Sequence, residues 1–142
     1  IEMRWTYVMF LQALGAYLQV KRDEHQDDPM YQYGRTTLLH YAHWMAENEG
    51  TYLSRIEALE FPNETWPAQE FRKSAVFCFA RQHANSTEEQ ELFSTKAEEF
   101  YQRALEDLDT FGDRKFLTRP IALVLANCWI CDHRVKGEKH SP

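Results

Sequence analysis

The densest run of residues able to do chemistry is Glu60-Phe61-Pro62-Asn63-Glu64-Thr65-Trp66-Pro67-Ala68-Gln69-Glu70-Phe71-Arg72-Lys73. Physically it suits a sugar. Trp66 offers a flat apolar face to a pyranose ring, and Gln69, Arg72, Glu64 and Glu70 offer donors and acceptors for hydroxyls. Hydrolysis of a glycosidic bond needs two carboxyl groups, one as acid and one as base or nucleophile, at a separation that sets the stereochemistry. Glu64 and Glu70 are the catalytic candidates, although nearness in sequence does not fix the distance between them. The same residues also read as an ordinary helix start. Thr65 can cap the free amides, Pro67 belongs in a first turn, and first-turn carboxylates complement the helix dipole.

His40, His43 and Glu47 are spaced i, i+3, i+7 and share one side of a helix. The two histidines are candidate substrate-binding residues. Metal ligation is not expected, because a site usually draws ligands from several elements and no His-Glu-x-x-His motif occurs. Cys128-Trp129-Ile130-Cys131 is a CxxC without a preceding strand or a following histidine, so neither thioredoxin nor haem chemistry fits. Its thiols read as small core residues. Three cysteines are too few for a disulfide scaffold, so reduced thiols are expected, which slightly favours a cytoplasmic setting. With no Gly-rich phosphate loop and no Gly-x-Ser-x-Gly elbow, no cofactor is expected. Asn63-Glu64-Thr65 and Asn85-Ser86-Thr87 match the glycan-acceptor pattern, which is short enough to arise by chance.

The 142 residues carry 22 acidic against 16 basic side chains, a formal charge of −6. That balance argues against a general phosphate-backbone binder, so no nucleic acid partner is expected. With 44% apolar residues and 14% aromatics, the chain has too much core material for disorder. Met3-Arg4 and the apolar run after them carry signal-peptide features. A core helix is the preferred reading, and Thr6, Gln12 and Gln19 make the run too polar for a membrane span.

Five helical stretches position these residues, and no alternating strand pattern competes, so the chain reads as all-α. The first (about 3–21) is apolar nearly all round, with Tyr7, Leu11, Leu14 and Leu18 on one stripe. The second (about 30–48) is amphipathic, burying Leu38, Tyr41, Ala42 and Met45. A connector follows with a short helical turn around Leu53 to Leu59. The third opens at Thr65-Trp66-Pro67 and is apolar through Ala75-Val76-Phe77-Cys78-Phe79-Ala80. The fourth starts at a capping box, Ser86 with Glu89, and runs to about Phe111, ended by Gly112. Phe93, Ala97, Phe100, Ala104, Leu108 and Phe111 form its stripe. The fifth opens at Thr118-Arg119-Pro120 and is again apolar nearly all round.

Odd helices are therefore apolar on most sides, while even ones keep a polar face. Two layers of antiparallel α-hairpins, a partial α/α toroid or helical array, produce this alternation. The expected organisation is one domain over 1–135 and a polar tail over 136–142. A helix apolar all round must be covered all round. The first helix therefore predicts either that the chain is the C-terminal part of a longer α/α protein or that it forms a homo-oligomer.

The run Phe61-Pro62-Asn63-Glu64-Thr65-Trp66-Pro67-Ala68-Gln69-Glu70-Phe71-Arg72-Lys73 resembles a segment in helical toroid proteins of the six-hairpin glycosidase type, whose (α/α)6 barrels process carbohydrates. The resemblance implies a sugar cleft at the N-termini of inner helices, a saccharide ligand, and glycoside hydrolase-like activity once the missing helices are supplied. A competing expectation comes from Ala97-x-x-x-Tyr101-x-x-Ala104-Leu105, which looks like the second helix of a tetratricopeptide repeat and implies a protein-interaction module. No matching repeat is visible elsewhere in the chain.

Overall fold

Asp28 settles where the second helix begins. Its side chain accepts a hydrogen bond from the Tyr31 backbone N–H, and Pro29 follows at the first helical position, where a missing N–H costs nothing. Just upstream the first helix closes on His25, which takes a left-handed conformation (φ 57°). There Gln26 N–H donates to Lys21 O and His25 N–H to Arg22 O, the Schellman pattern of a helix end.

The computed structural model describes residues 5–110 and 117–131, and no strand occurs among them. The elements are α1 (Trp5–Asp23), α2 (Pro29–Asn48), α3 (Thr65–His83), α4 (Thr87–Thr110) and α5 (Thr118–Asn127), with 3-10 segments at Tyr52–Ala58 and Cys128–Cys131. The chain is all-α with five main helices packed in layers, as its sequence pattern predicts. Residues 1–4, 111–116 and 132–142 lie outside the described set, and with them Phe111, Gly112 and the 136–142 tail.

α3 is the central helix, packed against all four others and both 3-10 segments. Every residue from Pro67 to Phe71 and from Lys73 to Ala80 is buried. α4 runs antiparallel to it. Phe77 stacks on Phe100 with ring centres 5.7 Å apart, Phe71 meets Tyr101 edge-on, and the Ser74 hydroxyl donates to Ala97 O at 2.7 Å. α2 is also antiparallel to α3, because Arg35 near its start donates to the His83 and Ala84 carbonyls at the end of α3.

α1, α3 and α5 run the same way. Trp5, Thr65 and Arg119, at or next to their first residues, line one cleft, and two turns further along Gln12 donates to Asn127 at 2.5 Å. α1 comes so close to α3 that a Cβ on Gly15 would lie 2.4 Å from the Phe79 ring.

Several local expectations change. α1 is not covered all round: Val8, Leu11, Gly15 and Leu18 are buried, whereas Met9, Phe10, Tyr17 and Val20 are exposed. α5 likewise buries Leu123 and exposes Ile121 and Leu125. Only α3 has helices on all sides, while α1 and α5 flank it and keep an apolar outer face. On α2, Tyr41 points outward and Leu39 is buried in its place. Cys78, expected as a reduced thiol, is disulfide-bonded in the core, whereas Cys128 is free. No helix among the described residues is long and apolar enough to cross a membrane.

Candidate functional site

The N-terminus of α3 is organised by Asn63 and not, as the sequence suggests, by Thr65. The Asn63 carboxamide oxygen accepts from Thr65 N–H at 2.9 Å, while its amide donates to Phe61 O. The short loop before the helix is thereby folded back, and the Trp66 indole N–H reaches the same Phe61 carbonyl at 3.1 Å. An asparagine two residues ahead can bond its own downstream backbone, which lets it act where a threonine inside the helix cannot.

Here the three parallel helices meet at a cleft of about 360 Å³, lined by Trp5 from α1, Phe61 and Asn63 from the loop, Thr65, Trp66 and Gln69 from α3, and Arg119 from α5. The Trp66 ring is backed by Tyr52 of the 3-10 segment, with ring centres 5.3 Å apart. Gln69 is only 3% exposed, and its side-chain oxygen accepts no hydrogen bond. Arg72 continues the Thr65–Gln69 stripe at i+3, so it sits one step along the face that lines the cleft. Its Nε is buried without an acceptor, and burial, reinforced by the like charge of Arg119, pushes its guanidinium below the ordinary range against an opposing pull from Tyr52. Neither Arg72 nor Arg119 has an ion pair among the described residues.

Behind the cleft lies a buried ionic cluster. The Lys73 ammonium, fully enclosed, donates to Gly50 O at 2.7 Å and stands 3.2 Å from Glu49 and 3.3 Å from Glu70. It also sits 3.8 Å from the centre of the Tyr52 ring. The second oxygen of Glu70 accepts from the Tyr52 backbone N–H at 2.5 Å, and the Tyr7 hydroxyl donates to Glu49 at 2.8 Å. Burial pushes the Glu70 carboxyl up to about 7, with Lys73 and the Tyr52 N–H holding it from rising further.

The sequence candidates therefore separate. Trp66 and Gln69 line the cleft, and Arg72 adjoins it. Glu70 is 0% exposed, with both oxygens turned to Tyr52 and Lys73, so it has no surface for a ligand. Glu64 is only 4% exposed. His40 and His43 are not brought in: His40 packs on Tyr41, while His43 stands 2.8 Å from Glu89 and against Phe93. Among the described residues no group of three His, Cys, Asp or Glu could hold a metal ion.

Trp5, Phe61, Asn63 and Arg119 are cleft residues that the sequence reading missed. For Arg119 a signal was present. Thr118-Arg119-Pro120 repeats the Thr65-Trp66-Pro67 helix start, and the middle residue of each triplet faces the same cleft. Comparison of the chain with protein-family models, curated proteins and solved structures finds no match.

Proposed function

We propose that the cleft at the N-termini of α3 and α5, beside Trp5 of α1, binds a saccharide, in a chain of the α/α-toroid kind. The observation that carries this reading is the pairing of an aromatic platform with unsatisfied polar groups. Trp66 is held in place by its bond to Phe61 O and by Tyr52 behind it, and the underused amide of Gln69 lines the same space. A volume near 360 Å³ admits one or two sugar rings and falls within the range of small-molecule sites. A sugar wants this combination, because its ring faces are apolar and its edges carry hydroxyls.

The proposed activity is recognition. Glu70, the carboxylate that glycoside hydrolysis would require at the bond, serves behind the cleft by holding the Tyr52 backbone, and Tyr52 in turn supports Trp66. It is a positioning residue in this scheme.

Calorimetric titration of the full chain against a panel of neutral and acidic oligosaccharides tests the reading. Covering about 60 Å² of indole face contributes ~1.5 kcal/mol, so Trp66→Ala is expected to weaken binding about tenfold. Trp44→Ala, on α2 and outside the cleft, is expected to leave it unchanged. No heat of binding from any oligosaccharide at millimolar concentration refutes the proposal.

A further inference from the structure

One guanidinium lines the cleft and a second adjoins it, and neither is neutralised among the described residues. Arg119 lines it, Arg72 lies next on the α3 stripe, and no carboxylate pairs with either among the described residues. The chain is acidic as a whole, with 22 Asp and Glu against 16 Lys and Arg. Elsewhere several of its lysines and arginines find partners: Lys21 with Asp28, Lys73 with two glutamates, Lys96 with Glu99, Arg103 with Glu106 and Asp107. Arg22 and Arg35 spend theirs on carbonyls at the end of α3.

The cleft also receives the N-terminal turns of α3 and α5, whose helix dipoles favour negative charge. Two further features point to a ligand. The Arg72 Nε is buried with no acceptor, and the nine-tenths-buried Gln69 beside it has an unpartnered oxygen. Burying a donor and an acceptor without partners is unfavourable unless something supplies the missing bonds.

We infer that the saccharide bound here is an acidic one, its carboxylate held between Arg119 and Arg72, a ring hydroxyl donating to Gln69 and its apolar ring face lying on Trp66. The inference rests on the proposed saccharide site and adds the substrate class. A guanidinium presents parallel N–H donors that match the two oxygens of a carboxylate, a fit that neutral sugars cannot use.

The test titrates the full chain with uronate tetrasaccharides and with the same tetrasaccharides after reduction of the carboxyl groups to alcohols. A charged hydrogen bond contributes enough for the uronate form to bind about tenfold or more tightly. Arg119→Gln, at an exposed position, is expected to remove most of that preference, lowering affinity for the uronate form about tenfold more than for the reduced form. Arg72→Gln provides the same readout from the buried side, and circular dichroism checks its fold. Equal affinity for the two forms overturns the acidic-sugar assignment and leaves saccharide binding standing. Binding of neither form overturns both. Displacement of the uronate by sodium acetate at the same concentration would reveal a bare carboxylate site and overturn the assignment to a sugar.

Discussion

Replacing Lys73 by Met removes the only cation, among the described residues, of a cluster that holds two buried carboxylates. The Glu49 and Glu70 side chains are 5% and 0% exposed, and the ammonium stands 3.2 and 3.3 Å from them while donating to Gly50 O. Methionine keeps the volume and restores none of the three contacts. Removing one partner of a buried pair costs about 3–5 kcal/mol, and an orphaned carbonyl costs about 1–3 kcal/mol more. Because these terms share one site they do not add, so the loss expected at pH 8 is roughly 4 kcal/mol. Urea denaturation measures it. The loss should depend on pH. Glu70 titrates near 7 even with the lysine present, above the 4.5 of an unfolded glutamate, and losing the cation moves it higher. The cost of ionised Glu70 is therefore absent below about pH 4.5 and grows as pH rises through the folded value. At pH 5 the Lys73→Met loss should be about half that at pH 8, and adding Glu70→Gln should recover part of the pH 8 loss. An equal loss at both pH values, or one below ~1 kcal/mol, would refute the view that ion pairing in the interior holds this cluster together.

Gly15→Ala tests the contact of α1 with α3: the new methyl would lie 2.4 Å from the Phe79 ring. Overpacking is expected to outweigh the better helix propensity of alanine and lower stability by about 1–2 kcal/mol, and a stabilised variant would contradict the packing described. His83, enclosed beside Arg22 and Arg35, is pushed down to about 4 by burial first and by those two charges second, so its contribution is present above pH 6.5 and lost as pH falls towards 4. Glu70 acts in the opposite sense between pH 4.5 and 7, and each slope can reach ~1.4 kcal/mol per pH unit. In that window His83→Gln should make stability fall with rising pH and Glu70→Gln should make it rise, as read from chemical denaturation across pH; parallel profiles would contradict both assignments.

Much of the fold is legible because apolar periodicity reports local geometry. The Phe93, Ala97, Phe100, Ala104 stripe, the Ser86 capping box and the apolar centre of α3 follow from spacing alone, and each is found. Even there the box is displaced by one residue: Glu89 N–H donates to the Ser86 hydroxyl, but the Glu89 carboxylate returns to the Asn85 N–H. Less legible is how far an apolar helix is covered, which depends on how many neighbours it has and not on its own residues. α1 and α3 look alike in sequence, yet only α3 is surrounded. The site is half legible for a related reason. Trp66, Gln69 and Arg72 lie on one local stripe, whereas Trp5 and Arg119 arrive from distant segments and are joined to it only by parallel packing. The surroundings of Glu70 are not legible because a carboxylate near a helix start normally faces water, and nothing local to α3 announces that Gly50, Tyr52 and Glu49 will close over it.

The buried polar residues follow a pattern that bears on the site. Within α3 the enclosed Gln69, Glu70, Lys73 and Ser74 all fall in its first half, next to the cleft, while the buried positions of the second half are apolar up to His83. An apolar replacement for the Glu49, Glu70 and Lys73 cluster would often be as stable or more so, so stability alone does not account for it. What the cluster supplies is direction. Glu70 fixes the Tyr52 backbone, Lys73 sits against the Tyr52 ring, and Tyr52 backs Trp66, so three buried charges set the attitude of one aromatic surface. Hydrophobic contacts are non-directional and would leave that ring free to tilt. A saccharide bound through stacking and a few hydrogen bonds needs the platform held still beforehand, because ordering it on binding would subtract from a small affinity. Uncoupling follows as the consequence: Glu70→Gln should weaken ligand binding with no contact to the ligand, and an unchanged affinity in calorimetric titration would contradict the positioning role.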